Sequence, residues 1–339
     1  MSATIKDVAK LAGCSIKTVS RVINDEPHVT DDLRDRVKSA IRQVGYAPNL
    51  SARRLVQNKS FMICILMYPG FHQQASAILS RVLDVSYDEG YDILIQPFFS
   101  SHARSRNKLV EMIGERRMDG FITTPPCDAD GFVADMLTTY KVPLVQINPI
   151  TRSEKIPYVA GDDYQGAFSL TEHLIQLGHR RIAFLMGPRN LRSAFDRFYG
   201  FRAALDSHQI VLNEEWVKNS EFTFDGGYTA TRLLLDQPLA PTAIFAGNDE
   251  AAYGALFALQ EMGKIVPRDV SVCGYDDYGT SKNIWPGLTT AHQPAEEMLE
   301  NATRLLIRIL KGEKQTEQNM LLSSPLVIRG STGRVTAEP

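Results

Sequence analysis

Cysteine is scarce: four residues, Cys14, Cys64, Cys127 and Cys273, in a chain of 339. They lie far apart with no C-x-x-C pair, which argues against a zinc site and against a disulfide framework. Long apolar runs are missing too. The longest, Phe61 to Tyr68, has 8 residues, whereas a membrane-spanning helix needs about 20. The opening MSATIKDVAK carries Lys6 and Asp7 and lacks the apolar stretch of a secretory signal. A reducing cytoplasm is the simplest setting. Catalytic signatures are absent as well. There is no G-x-x-x-x-G-K-[ST] loop, G-x-G-x-x-G turn, H-E-x-x-H or G-x-S-x-G elbow. His173 and His179 are the closest histidine pair and read as a helix end rather than a metal site. No enzyme activity, cofactor or metal is expected.

What is present is the mix of a soluble globular protein, 44% hydrophobic and 22% charged. The length exceeds what one core usually holds, so two or more domains are expected. The net charge of -2 hides an asymmetry. Residues 1–60 carry 11 Lys+Arg against 6 Asp+Glu, and the remainder carries 26 against 33. A basic head on an acidic body suggests a polyanion-binding module joined to something else.

The head reads as three helices. Thr4 is an N-cap with Asp7 placed to reach back to its N–H, and Ile5, Val8, Ala9 and Ala12 follow at helical spacing. Gly13 breaks the run. Ser15 caps a second helix with Val19, Val22 and Ile23 inside. Thr30 caps a third, with Asp31 and Asp32 in its first turn, Leu33, Val37, Ile41 and Val44 inside, and Gly45 as its stop. Two short helices around a tight Gly turn, closed by a third, describe a helix-turn-helix unit. The second helix would be the reader, presenting Ile16, Lys17, Thr18, Ser20 and Arg21. Lys and Arg donate to guanine, while Thr and Ile touch a thymine methyl. An ordinary three-helix bundle with a solvated face fits the pattern equally. Beyond it, Asn49 can cap a helix of about two turns through Val56, too short to be stable alone. That makes either a conditional switch or a frayed linker.

The runs TIKDVAKLAGCSIKTVSRVIN and VTDDLRDRVKSAIRQVGYAPNLSARRL resemble the headpiece and hinge of LacI-type bacterial transcription regulators. The resemblance implies a headpiece over 1–48 and a hinge helix and linker over 49–60. It implies a DNA-binding face of Thr4, Ser15, Ile16, Lys17, Thr18, Ser20, Arg21 and Asn24 in the head, with Asn49, Ala52, Arg53 and Leu55 in the hinge. Lys17, Thr18 and Arg21 would face bases. Ala52 and Arg53 would lie in the minor groove, with Leu55 as the wedge that partly unstacks a base step.

In residues 61–339, the runs FMICILMY, YDILIQPF, DGFITT, PLVQIN, RIAFLM, TAIFAG and VSVCGY alternate with helical segments near 75–89, 104–116, 164–178, 194–208, 249–262 and 294–311. Alternation of this kind implies parallel sheets covered by helices on both faces. Two similar halves with a cleft between them are the economical architecture. Open α/β sheets bind ligands at strand ends, where Asn248, Asp249, Asp276 and Asp277 stand, and Arg197 follows a loop rich in basic residues. Together these make a polar ring for a hydroxylated or anionic small molecule.

The stretches DDYQG, HLIQLGHRRIAFLMGP, RFYGFRAAL, AGNDEAAYGAL, VSVCGYDD and LTTAHQP resemble the effector domain of the same family. The expected fold is therefore a small all-α helix-turn-helix headpiece plus an α/β periplasmic-binding-protein-like body of two doubly wound subdomains. The resemblance implies crossings near Asp162, His292 and Ser323. These give an N-subdomain of about 61–162 and 293–322 and a C-subdomain of about 163–291 and 323–339. Positions matching effector contacts are Ser193, Arg197, Asn248 and Asp276, with Phe222 as the stacking aromatic. Purine-binding members carry aromatics early in the body's first helix, where this chain has Gln74 and Ala75, with Phe71 offset. A sugar or sugar derivative is therefore favoured. No leucine heptads follow the body, so no tetramer tail is expected.

The reading is a cytoplasmic, homodimeric, ligand-switched repressor acting on near-palindromic operator DNA, with carbohydrate-utilisation genes as its targets. Its alternatives are a stand-alone solute-binding protein and a sugar-handling enzyme.

Overall fold

The computed structural model describes residues 3–23, 26–46, 59–68, 75–314 and 318–335. They fall into two compact units, Met1–Ser60 and Phe61–Pro339.

In the first unit, α1 (Ile5–Ala12), α2 (Ile16–Ile23) and α3 (Asp31–Val44) enclose a core of Val8, Ala9, Ala12, Val19, Val22, Val37 and Ala40. The Asp7 carboxylate accepts from the Thr4 N–H at 2.9 Å and from its hydroxyl at 2.7 Å. The Ser15 hydroxyl accepts from the Thr18 N–H at 3.1 Å. Gly13 and Gly45 are left-handed, as tight helix stops require. Thr30 departs from expectation: it occupies the N-cap position, but its hydroxyl makes no capping bond. Asp31 and Asp32 still meet the positive end of α3.

The second unit holds two parallel sheets. In the first lobe β1 (Met62–Met67), β2 (Asp92–Pro97), β3 (Gly120–Thr123), β4 (Leu144–Ile147), β5 (Tyr158–Gly161) and β11 (Asn319–Leu322) are ordered β11-β5-β4-β3-β1-β2, all parallel. The unbroken apolar run of β1 follows from burial on both faces. Ile63 and Ile65 join the cluster under α4 (Ala75–Asp88) and α11 (Ala295–Leu310). Cys64 and Leu66 join the cluster under α5 (Ala103–Gly114) and α6 (Phe132–Thr139).

The second lobe repeats the plan. β6 (Ile182–Met186), β7 (Val217–Asn219), β8 (Ala243–Ala246) and β9 (Ser271–Cys273) are ordered β7-β6-β8-β9, again parallel. Ile182 and Phe184 pack under α7 (Asp163–Gln176) and α8 (Arg192–Ser207). Ala183 and Leu185 pack under α9 (Phe224–Leu235) and α10 (Asp249–Glu261). The antiparallel pair β10 (Thr290–Ala291) and β12 (Leu326–Val327) stands beside this lobe.

The chain passes between lobes at Asp162, between β10 and α11, and between β11 and β12. At the first passage Asp162 caps α7 through Gln165 N–H, and its own N–H donates to Leu322 O. The expected strands are all present. Elements missing from that reading include β5, β7, α6 and α9, which are short or interrupted by Gly, as in the FDGGYT start of α9.

Candidate functional site

In the head, α2 turns Val19 and Val22 inward. Helical spacing then leaves Ser15, Ile16, Lys17 and Arg21 exposed, with Thr18 and Ser20 half-buried. Thr4 is exposed at the start of α1. Arg21 lies 3.7 Å from Glu26, a solvated pair. The head thus presents an ordered row of donors and small apolar groups suited to a groove. Asn24, Asn49, Ala52, Arg53 and Leu55 lie outside the described residues, as do Phe71 and Gln74.

In the body, Arg197 is the centre of a buried charge cluster. It sits on the inner face of α8 with 3% of its surface exposed. Its Nε donates to Asp163 at 2.8 Å, Nη1 to Gly247 O at 2.7 Å and Nη2 to Asp276 at 2.9 Å. Its guanidinium lies 3.8 Å from the Tyr275 ring centroid and 5.4 Å from that of Phe222. Burial alone disfavours its charge, but Asp163 and Asp276 more than offset this and keep it protonated. Burial raises both carboxyls, while Arg197 opposes the rise.

Asp276 is held at φ 117, a left-handed conformation that a non-glycine residue adopts only when its surroundings fix it. Here its N–H donates to Ala291 O and its O accepts from Gln293 N–H. Asn248 caps α10 by accepting from Ala251 N–H, while its amide donates to Phe222 O at 3.0 Å. One side of its amide therefore caps α10 and the other holds the Phe222 loop. The Phe222 ring lies over the strand ends only because position 187 is glycine: a Cβ there would stand 2.2 Å from the ring. Ser193 is half-buried in the first turn of α8. The structure thus brings Arg197, Asp276, Asn248 and Phe222 into one contiguous set, with Ser193 on the same helix as Arg197.

The opposite wall was not singled out from sequence. The cleft between the lobes is lined by Thr123, Thr124, Asp128, Gln146 and Asn148 from the first and by Asn190 and Arg192 from the second. Asp128 accepts from Val133 N–H at 2.9 Å and Gln146 Nε2 at 2.7 Å, and burial raises its pKa to about 6. The available signal was position: Thr123 and Gln146 lie near the C-terminal ends of β3 and β4, and Thr124, Asp128 and Asn148 follow those strands, as Asn248 follows β8. Arg197, Asn248 and Asp276 do not line this open cleft. They form a floor that is almost closed from solvent. Asp163 was also passed over as a ligand partner, whereas Asp249, counted in the polar ring from sequence, is fully buried and turned to internal partners. Asp249 accepts from Thr290 Oγ1, the Ser281 hydroxyl and Tyr278 N–H. Among the described residues no cluster of His, Cys, Asp or Glu could hold a metal, and no helix is long and apolar enough to cross a membrane.

A helix-turn-helix head, and a two-lobed α/β body with a buried polar floor where its lobes meet, define a ligand-responsive DNA-binding regulator. Family models agree. Residues 4–49 match the bacterial regulatory proteins of the lacI family, and residues 171–332 match the periplasmic binding protein-like domain. The HTH-type transcriptional repressor PurR of Erwinia tasmaniensis is 32% identical over 330 residues, 97% of this chain and 96% of that one.

Solved structures are similar across the body or the whole chain. The CelR–cellobiose complex has a TM-score of 0.74 at 29% identity, covering 97% of this chain and 99% of that one. The lac repressor dimer bound to operator and the anti-inducer ONPF has a TM-score of 0.79 at 28% identity, covering 98% and 100%. A LacI-family regulator from Enterococcus faecium with bound ribose has a TM-score of 0.71 at 29% identity, covering 81% and 100%. The chain belongs to the LacI family of bacterial transcriptional regulators.

Proposed function

We propose that this protein is a cytoplasmic homodimeric repressor of carbohydrate-utilisation genes that binds a near-palindromic operator and releases or grips it in response to a sugar or sugar derivative. It has no catalytic role in this reading. The observation that carries it is the Arg197–Asp163–Asp276 cluster under the Phe222 ring, at the meeting of two lobes. Guanidinium and carboxylate offer complementary donors and acceptors to hydroxyls, and an aromatic face suits the apolar side of a sugar ring. The cellobiose and ribose held by two structural relatives support the same class. Exposed Trp285 (96%) and Phe257 on the second lobe, with Tyr87 and Leu83 on α4, are surfaces a partner subunit would cover.

The switch is a shift between two lobe arrangements, and a ligand acts only through its different affinity for each. DNase footprinting and gel shifts on genomic fragments, with and without sugars, provide the test. A two-fold symmetric footprint whose occupancy changes with one sugar is the expected result. Binding without sequence preference, or turnover of the sugar, would overturn it.

A further inference from the structure

The basic loop GPRNLR leads into α8, and its arginines take no part in the polar floor. At its end Arg192 donates through Nε to Asp196 Oδ1 at 2.9 Å. Asp196 Oδ2 accepts from Arg152 Nη2 at 3.1 Å. Arg152 belongs to the β4–β5 segment of the first lobe and Asp196 to α8 of the second, so the three residues bridge the lobes. Two guanidiniums share one carboxylate, leaving one positive charge in excess. The Nε of Arg152 is buried and donates to no protein acceptor, a costly state for a charged donor. Arg192 spends one of its five N–H groups on Asp196, is 40% exposed along its side chain, and lines the cleft.

The acid on the first-lobe wall of the cleft, Asp128, is turned to its own backbone and to Gln146. The floor has the opposite balance: Asp163 and Asp276 outnumber Arg197. Arg152 and Asp196 both act electrostatically on Asp163, so mouth and floor adjoin.

We infer that the cleft selects a hydroxylated effector bearing one acidic group, a carboxylate or a phosphate. The acid sits on the free N–H groups of Arg192 at the cleft mouth, beside the Asp196 that Arg192 shares with Arg152, and the hydroxyls are directed toward the floor. This rests on the sugar-derivative reading above and sharpens it. A guanidinium suits either acid through parallel N–H donors, while the excess of carboxylates on the floor repels an anion there and fixes the ligand's direction.

The test uses the full chain and begins with inorganic phosphate, compared with chloride at equal ionic strength, by thermal denaturation. A saturable rise in Tm is expected for the parent and is lost in Arg192→Ala and in Arg152→Gln. Phosphate bound at the DNA-reading head would survive both substitutions, so a rise unaffected by either overturns the site, as does no rise at all. Calorimetry then compares glucose, glucuronate and glucose 6-phosphate, and the same three forms of galactose. At least tenfold tighter binding of an acidic form than of its neutral parent is expected, with the advantage removed by Arg192→Ala. The uronate and phosphate arms separate the two acids. Neutral sugar binding as tightly as the acid overturns the inference and leaves the sugar reading standing. An Arg192-dependent phosphate response with no sugar bound in any form does the reverse.

Discussion

Arg197 shows how much a single position can carry. In the sequence it is one arginine in RFYGFRAAL; in the structure it is the positive charge that pairs with two buried carboxylates, Asp163 and Asp276. Arg197→Ala therefore does more than remove a ligand contact. It strands two acids, at a cost of ~3–5 kcal/mol typical of a broken buried pair, and urea unfolding should record that loss. Asp276→Asn is the cleaner probe. It keeps the shape and the bonds to the backbone, and should weaken effector binding at least tenfold while leaving operator binding without ligand unchanged. At the other end of the chain, Arg21 is exposed on the reader helix. Arg21→Ala should cost ~1–3 kcal/mol in operator binding and relax preference at one base pair per half-site. Equal weakening on random DNA would make Arg21 a phosphate contact.

Among the elements, α9 and α10 pack closely because glycines stand where they cross. A Cβ at Gly254 would lie 2.0 Å from Phe224 O, an approach that neither backbone can absorb without moving. Gly254→Ala should destabilise the chain by ~1–3 kcal/mol through overpacking, read as a lower urea midpoint. It should also disturb Asn248, which caps α10 and holds the Phe222 loop, and so weaken the effector response. The strands carried a plain signal: β1, β6 and β8 are apolar runs and β3 and β4 nearly so, buried on both faces. The helices before and after them were legible by alternation. β5, with the sequence YVAG, and the glycine-rich start of α9 were not, because short segments owe their state to neighbours in the sheet and across the helix pair.

The whole body stores a pH dependence. Asp249 is fully buried beside Asp276, and burial together with that neighbour raises its pKa from 3.8 to about 7. The folded chain therefore holds a proton that the unfolded chain has released. Stability from this group is complete below about pH 4 and is lost as pH rises to about 7. Asp249→Asn should flatten that slope in urea titrations at a series of pH values. An unchanged slope would show that Asp249 stays ionised, supported by its three donors.

By itself the sequence determined the helix-turn-helix head, the α/β class of the body and its family, since these rest on local caps, periodicity and long motifs readable in order along the chain. It also marked Arg197, Asn248, Phe222 and Asp276 as positions of interest. Only the tertiary structure decided that these four form one set with Asp163, that the Asn248 amide both caps α10 and holds Phe222, and that Arg152, Asp196 and Arg192 meet across the lobes. Such groups come from strands and helices far apart in the chain. Their charges and unfilled hydrogen bonds acquire meaning only once burial removes water and the three passages of the chain fix which lobe faces which.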